Sequence, residues 1–313
     1  MLIQIFRQSV AIWFVCLSQP LMAQRPIDSL GVVNIGGIRQ VISVKGRDAS
    51  KPLLLFLHGG PGNSVMHYAE KFTYRLQEHF TVVQWDQREV GKTLALNKSP
   101  RPVTVQHFEE DTHALIDTLL KRFKRPKLYL AGHSWGTYLG FYVAINYPEL
   151  LYGYLAISPM VHQAESERII LELMKDKASR TGNKVAAREL AAITIPFKNG
   201  EDLYFHRKWV MEYMGSKAKI TKGIVDQWSS TWLTVFVEAS QQNLFESAPE
   251  IKCPVYFFVG RKDVQTNSIM TEKYYQKLKA PRKELFWFEH SAHSLPMSEP
   301  EKLQKTIIEH VID

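Results

Sequence analysis

The stretch Leu128-Tyr-Leu-Ala-Gly-His-Ser-Trp-Gly-Thr137 decides how the chain is interpreted. Its first four residues form a short apolar run that predicts a buried strand, and the residues from Thr137 to Tyr147 predict a helix. Between the two lies Gly132-His-Ser-Trp-Gly136, in the strand–turn–helix context of a nucleophile elbow. So sharp a turn favours glycine on either side of the serine and raises the serine hydroxyl out of the sheet. The stretch therefore makes Ser134 a candidate nucleophile.

Apolar runs and helical patterns alternate along most of the chain. Alternating apolar residues around Gly36-Gly37 predict a hairpin, and a continuous apolar run at 53–57 predicts a strand buried on both faces. Further strands are predicted at 80–85, 152–157, 255–259 and 284–288. Strands that alternate with helices favour a mostly parallel sheet with helices on both faces. In such sheets the functional groups lie at the carboxyl ends of the strands.

The 313 residues divide into an N-terminal segment, 1–23, and a core formed by 24–159 and 250–313. The residues between the two core parts, 160–249, lose the strand pattern and are helical and polar-rich with several aromatic side chains. They predict a helical cap, inserted where it can cover the carboxyl ends of the strands and shape an apolar, partly aromatic pocket over Ser134.

The first 23 residues predict a secretory signal peptide and hence a secreted or periplasmic protein. Arg7 is their only charge, a short apolar segment follows it, and Leu21-Met-Ala23 offers a cleavage site before Gln24. The apolar segment is too short to span a bilayer, so we expect no stable membrane insertion after cleavage. The alternative is an uncleaved N-terminal anchor. Cys16 lies inside this segment, which leaves Cys253, expected to be a buried and inert thiol, without a disulfide partner.

Charge and motifs exclude several classes of function. The net charge of +8 comes from scattered lysines and arginines, a pattern of solvated surface and not of a nucleic-acid site. The chain has no H-E-x-x-H motif, no complete phosphate-binding loop and no dinucleotide fingerprint. We therefore expect no metal and no cofactor. Oligomeric state stays open.

A serine hydroxyl is a weak nucleophile that needs a base, and the base needs an orienting acid. Asp263 follows one late predicted strand, and His293 follows the last one. The order Ser, Asp, His is that of the α/β-hydrolases. We predict that Ser134 is the nucleophile, that His293 is general base and then general acid, and that Asp263 orients His293.

Other titratable residues near these positions are less suited to the same roles. His290 also follows the last strand, but His293 lies further along the loop that supplies such residues. The side chain of His133 is expected to point away from the site. Asp86 ends a strand in the first half of the sheet and is expected to form a structural ion pair with Arg88.

His58-Gly-Gly-Pro-Gly62 directly follows the buried run at 53–57. A glycine-rich loop at this place can supply a second backbone donor to an oxyanion. We assign the oxyanion hole to the backbone N–H groups of Gly60 and Trp135.

Five motifs together resemble the proline iminopeptidase (prolyl aminopeptidase) branch of the α/β-hydrolases. They are His58-Gly-Gly-Pro-Gly62, Trp85-Asp-Gln-Arg88 with Gly91, Gly132-His-Ser-Trp-Gly136, Gly260-Arg-Lys-Asp263 and Ser291-Ala-His-Ser294. The resemblance covers residues from about 31 to 313. It implies an eight-stranded sheet, a helical cap over the serine, and release of N-terminal residues, often proline, with cap glutamates that hold the free amine.

The chain departs from this branch at Glu89, where members have glycine, and in the cap. Glu238 is the candidate amine-holding carboxylate, with Glu201 and Glu246 behind it. The expected activity is an aminopeptidase acting on N-terminal proline or small apolar residues of short peptides. The alternatives are a carboxylesterase or amidase with a repurposed cap and, remotely, a non-catalytic binding protein, although such proteins usually lose a triad member.

Overall fold

The computed structural model describes residues 25–100, 102–216 and 219–312. The predicted signal peptide and Cys16 lie outside the described residues. Within the described ranges, none of the helices is both long and apolar enough to cross a membrane.

Eight strands form a single sheet in the order β1-β2-β4-β3-β5-β6-β7-β8. The strands are β1 Ile27–Ile35, β2 Ile38–Gly46, β3 Leu53–Leu57, β4 Thr81–Asp86, β5 Leu128–His133, β6 Leu151–Ile157, β7 Val255–Gly260 and β8 Lys283–Phe288. β2 pairs antiparallel with β1 and with β4, and all the other pairs are parallel. This confirms the predicted α/β-hydrolase fold with a mostly parallel eight-stranded sheet.

The helices cover both faces of the sheet or lie between β6 and β7. In chain order they are α1 Glu70–Thr73, α2 Gly91–Leu96, α3 Val105–Phe123, α4 Trp135–Asn146, α5 Gln163–Arg180, α6 Lys184–Ala191, α7 Gly200–Tyr213, α8 Lys222–Ser240, α9 Leu244–Ser247, α10 Ser268–Lys277, α11 Leu295–Ser298 and α12 Pro300–His310. Between β6 and β7 the described residues form helices, turns and two isolated bridges, His162 to Asn243 and Glu250 to Lys279 beyond β7, but no strand. The division into core and cap stays a prediction.

The strand β3 shows why the sheet is buried on both faces. All five of its residues are buried. Because side chains alternate along a strand, Leu53, Leu55 and Leu57 join the apolar cluster on one face while Leu54 and Phe56 join the cluster on the other. The sheet is thus the middle layer between two apolar cores, which fixes the position of the loops at its carboxyl edge.

Candidate active site

Ser134 occupies the turn between β5 and α4 with φ 53° and ψ −120°. A serine with positive φ is strained, and the surrounding backbone has to hold it there. A Cβ atom at Gly132 would overlap the carbonyl oxygen of Gly136, and one at Gly136 would overlap that of Leu57. Both glycines flanking the serine are therefore required for the sheet, the turn and the helix to approach so closely.

The side chains of Ser134, His293 and Asp263 form one hydrogen-bonded chain. Ser134 Oγ lies 2.9 Å from His293 Nε2, and His293 Nδ1 lies 3.0 Å from Asp263 Oδ2. Asp263 is buried and also accepts hydrogen bonds from the Thr266 hydroxyl and from the backbone N–H groups of Gln265 and Thr266. Burial opposes ionisation of this carboxyl group, but His293 and these donors lower its pKa to about 2. Asp263 is therefore a carboxylate at neutral pH and can stabilise a positive charge on His293.

The loops after β7 and β8 bring Asp263 and His293 together. Gly260 is the last residue of β7, and a Cβ atom there would overlap the carbonyl oxygen of Ala292 in the loop after β8. Because β7 and β8 are parallel, both loops leave the same edge of the sheet. Asp263 and His293, which are 30 residues apart in the chain, are thereby close enough to form a hydrogen bond.

The glycine-rich loop after β3 packs against the elbow. A Cβ atom at Gly59 would lie 3.3 Å from Ser134 Cβ, and Gly60 has φ 121°, a conformation suited to glycine. Trp135 begins α4, where the first backbone N–H groups have no acceptor within the helix. The assignment of the Gly60 and Trp135 N–H groups to an oxyanion hole stays a prediction.

A cavity of about 290 Å³ lies beside Ser134. Its wall includes apolar side chains from the core, such as Tyr68 and Phe72, and three side chains from the helices between β6 and β7: Gln163, Arg207 and Phe236. Asn63, Gln265 and Thr266 add further polar groups. The lining is thus more polar than the apolar, partly aromatic pocket that the sequence predicts.

The helix α8 contacts the glycine-rich loop directly. Trp228 Nε1 donates a hydrogen bond to the Pro61 carbonyl oxygen at 2.9 Å, and a Cβ atom at Gly62 would lie 2.5 Å from Trp232 Nε1. The indoles of α8 therefore hold the backbone that is predicted to carry an oxyanion donor.

A second polar cluster borders the cavity, and the sequence analysis missed it. Glu167 is buried and accepts from Arg207 Nη1 at 2.7 Å, from Arg207 Nη2 and from Gln163 Nε2 at 2.8 Å. Burial acts to raise the pKa of Glu167, but the guanidinium of Arg207, with His206 and Gln163, holds it below its usual value. Burial lowers the pKa of the adjacent His206 to about 4, so this imidazole is neutral at pH 7. The i, i+4 spacing of Gln163 and Glu167 was a visible signal, but nothing in the pattern pairs Glu167 with Arg207 on another helix.

The expectation that His133 points away from the site was wrong. His133 lines the cavity, and its Nε2 atom lies 3.0 Å from the His293 carbonyl oxygen. Burial and the neighbouring His293 lower the pKa of His133 to about 4. A neutral imidazole whose Nε2–H donates to that carbonyl group supports the backbone of His293. His133 is the last residue of β5, and the alternation of side chains puts it on the same face as Tyr129 and Ala131, the face on which the cavity residue Phe72 also lies.

The expected ion pair between Asp86 and Arg88 was also wrong. Asp86 accepts a hydrogen bond from the Ser64 hydroxyl at 2.5 Å and from the Lys92 backbone N–H at 2.8 Å. Arg88 instead forms a bidentate pair with Asp111, which is completely buried. Asp111 lies on α3, so the arginine joins that helix to the sheet, and sequence proximity was a poor guide to its partner.

The remaining candidate residues lie outside the cavity wall. Glu238, Glu201 and Glu246 are exposed and do not line the cavity. His290 is exposed as well. Cys253 is buried, and burial raises the pKa of its thiol to about 12, as expected for an inert cysteine. Among the described residues, no group of three or more His, Cys, Asp or Glu side chains could hold a metal ion.

Comparisons with known proteins agree with this fold. Residues 48–301 match the family described as serine aminopeptidase, S33. The chain is similar to a probable aminopeptidase, YbaC, of Bacillus subtilis, with 31% identity over 302 residues that cover 89% of this chain and 94% of the relative. It is more distantly similar to a proline iminopeptidase of Heyndrickxia coagulans, with 22% identity over 282 residues and coverage of 87% and 94%. Among solved structures, VinJ aligns with a TM-score of 0.64 at 21% identity, covering 90% of this chain and 97% of VinJ.

Proposed function

The chain belongs to the serine aminopeptidase family S33, and from that premise we propose that it is a serine hydrolase that releases N-terminal residues from short peptides. The observation that carries the proposal is the chain of hydrogen bonds from Ser134 Oγ to His293 and on to Asp263, beside a cavity that can hold a substrate. Proline or a small apolar residue is the proposed first residue of the substrate.

The acylation step follows from this geometry. Ser134 Oγ attacks the carbonyl carbon of the first residue while His293 Nε2 takes the hydroxyl proton. Asp263 keeps the Nδ1–H of His293 pointed at itself and stabilises the imidazolium that forms. The oxyanion is stabilised by the backbone N–H groups of Trp135 and Gly60, in a site where α8 covers the glycine-rich loop.

The second half of the reaction uses the same groups. His293 returns its proton to the nitrogen of the leaving peptide, and the C–N bond breaks to leave an ester on Ser134. A water molecule then attacks this ester while His293 takes one of its protons. The bond from the carbonyl carbon to Ser134 Oγ breaks, His293 gives the proton to Oγ, and the amino acid leaves.

The substrate preference rests on the family and on its relatives. The names of two relatives, a probable aminopeptidase and a proline iminopeptidase, support release of an N-terminal residue. The carboxylate expected to hold the substrate's amine, Glu238, is exposed on α8 and does not line the cavity.

The test compares a prolyl arylamide, its N-acetylated form and an aryl ester of a short acid. We expect hydrolysis of the free-amine prolyl compound to be the most efficient, and we expect Ser134→Ala to lower it by about a thousandfold or more. Equal rates on the free and acetylated amides, or activity confined to the ester, would exclude the aminopeptidase.

A second candidate is an amidase or carboxylesterase of the same fold. It is favoured by the charge of the cavity wall, because Arg207 is the only Lys, Arg, Asp or Glu among the described residues that line it. An aminopeptidase would be expected to present a carboxylate to the substrate's ammonium group. The same set of substrates distinguishes the two candidates.

We also propose that the protein is exported and that its mature form begins near Gln24. The support is the single charge at Arg7, the short apolar segment and the small residue Ala23. N-terminal sequencing of the protein from its native cells tests this proposal, which an N-terminus at residue 1 would exclude.

A further inference from the structure

Gln163, in the wall of the cavity beside Ser134, carries a hydrogen-bond acceptor that no described residue uses. Gln163 lines the cavity and is 4% exposed, and its Oε1 atom is buried without a hydrogen-bond partner among the described residues. Its Nε2 atom donates to Glu167 Oε1 at 2.8 Å and to the Gln265 carbonyl oxygen at 2.9 Å. Both neighbours are acceptors, so a reversed amide would place oxygen against oxygen. The amide is therefore fixed with Oε1 as an acceptor, and a buried acceptor without a partner is costly unless a ligand satisfies it.

Arg207 provides unused donors beside this acceptor. Its Nη1 donates to Glu167 Oε2 at 2.7 Å and to His206 Nδ1 at 3.0 Å, and its Nη2 donates to Glu167 Oε1. These contacts leave the Nε–H and a second Nη2–H, for which the described residues offer no acceptor. Nε and Nη2 form one edge of the guanidinium, and such an edge matches the two oxygens of a carboxylate. The rings of Phe197 and Phe236 lie 5.5 and 5.8 Å from the guanidinium carbon and restrict its position.

The two side chains are adjacent, because Gln163 Nε2 and Arg207 Nη2 both bind Glu167 Oε1. They are also close to the proposed triad. Gln265 donates its backbone N–H to Asp263 and accepts from Gln163 through its carbonyl oxygen. Glu167, which neutralises Arg207, is buried and does not line the cavity, so the charge at the cavity wall is the cation.

We propose that Arg207 and Gln163 form a subsite for the carboxyl-terminal end of a short substrate, in which Arg207 binds a free carboxylate and Gln163 Oε1 accepts a peptide N–H. This inference rests on the proposed function, since it assumes cleavage of an amide at Ser134. The substrate class is then dipeptides, tripeptides and similar small amides with a free carboxylate. A cavity of about 290 Å³ suits such short ligands.

Binding tests the subsite independently of turnover. Full-length Ser134→Ala protein is titrated with N-acetylalanine and, separately, with N-acetylalanine amide in a calorimeter. We expect the acid to bind about tenfold or more tightly than the amide, because only the acid can form the charge-assisted bidentate pair. Equal affinities, or no binding of either compound, would overturn the subsite.

Turnover adds a second measurement. Wild-type protein is assayed on Pro-Ala and on Pro-Ala amide, and we expect kcat/KM to favour the acid by about ten- to a hundredfold. The double variant Glu167→Gln/Arg207→Gln removes both charges together and leaves no buried charge unpaired, and it should lose this preference. Arg168→Gln is the matched control, because Arg168 pairs with Glu165 on the exposed face of α5, and it should keep the preference.

The outcomes separate the two proposals. If Pro-Ala and its amide are cleaved with equal efficiency, the subsite is wrong while the aminopeptidase stands. If neither is cleaved but the acid still binds more tightly to Ser134→Ala, the aminopeptidase is wrong while the subsite stands.

Discussion

Two buried carboxylates, Asp263 and Glu167, lie on either side of Gln265 and carry out different tasks. Both stay ionised because hydrogen-bond donors surround them, despite a burial that opposes their charge. Asp263 pairs with His293, whose other ring nitrogen can take a proton from Ser134, whereas Glu167 pairs with the guanidinium of Arg207, which can only donate hydrogen bonds. The comparison indicates that the task of a buried carboxylate depends on its partner: a histidine partner suits proton transfer, and an arginine partner suits the binding of an anion.

The two clusters also differ in what they present to the cavity. His293 reaches Ser134 with its other ring nitrogen, so the first cluster, Asp263-His293-Ser134, ends in the serine that we propose as the nucleophile. Arg207 holds its remaining donors beside the unpaired Gln163 oxygen, so the second cluster ends in a binding edge. One side of the cavity therefore carries the groups that we propose to break the scissile amide bond. The other side carries the groups that we propose to bind the carboxyl-terminal end of the substrate.

The largest effect is expected from Ser134→Ala, which removes the end of the first cluster. Turnover should fall by about a thousandfold or more, since the nucleophile is lost. The melting temperature should change little, because the loss of one partly exposed hydroxyl creates no large void. Ser294→Ala is the matched control, since Ser294 also lines the cavity. Near-normal turnover by Ser134→Ala would contradict the proposed role of the serine.

Glu167→Gln should have the largest effect on stability among the changes to the second cluster. It leaves the Arg207 guanidinium without its counter-charge, which should lower the free energy of unfolding by about 3–5 kcal/mol. Glu165→Gln on the same helix removes an exposed pair with Arg168 and should cost only about 0–1 kcal/mol. Urea unfolding of both variants measures the contrast, and equal losses would show that Glu167 is not effectively buried.

Acidification should also distinguish the clusters. The folded pKa of His206 is about 4, below its ordinary 6.5, so between these pH values the unfolded chain binds a proton that the folded chain does not. Stability therefore decreases as the pH falls through this window, by up to about 3 kcal/mol for this histidine. Asp263 acts at lower pH: its stabilisation is present above its ordinary pKa of 3.8 and is lost as the pH falls towards about 2.

His206→Gln should flatten the decline of stability between about pH 6.5 and 4. The flattening should be partial, because His133 has a similarly lowered pKa of about 4 and contributes in the same window. His290→Gln, at an exposed position, should leave the slope unchanged. The measurement is urea unfolding at several pH values, and an unaltered slope in His206→Gln would mean that this histidine is protonated in the folded protein.

The first cluster lay within reach of sequence analysis, and the second did not. Ser134, Asp263 and His293 each follow a strand with an apolar run, and parallel strands bring their carboxyl ends together whatever lies between them in the chain. The positions of these three side chains were thus determined by topology. His133 was misplaced because it was taken for part of the turn, whereas it ends β5 and alternation puts it on the same face as Tyr129 and Ala131, towards the cavity.

The helical segment between β6 and β7 offers no such rule. Glu167 on α5 meets Arg207 on α7 through the packing of helices, and the polar residues of amphipathic helices do not reveal which of them face a cavity. For the same reason the sequence could not show which way Glu238 points, because a glutamate beside apolar residues of a helix can face the core or the solvent.

Glu238→Gln is expected to have the smallest effect. Glu238 is exposed on α8 and does not line the cavity, so a neutral side chain there should change kcat/KM on a prolyl arylamide less than about twofold. Phe236→Ala, two residues earlier and on the cavity wall, provides the contrast and should impair the same substrate more strongly. A selective loss in Glu238→Gln, confined to substrates with a free amine, would instead restore Glu238 as the amine-holding carboxylate. It would also mean that α8 turns towards Ser134 when substrate binds, because only then could an exposed carboxylate reach the ammonium group.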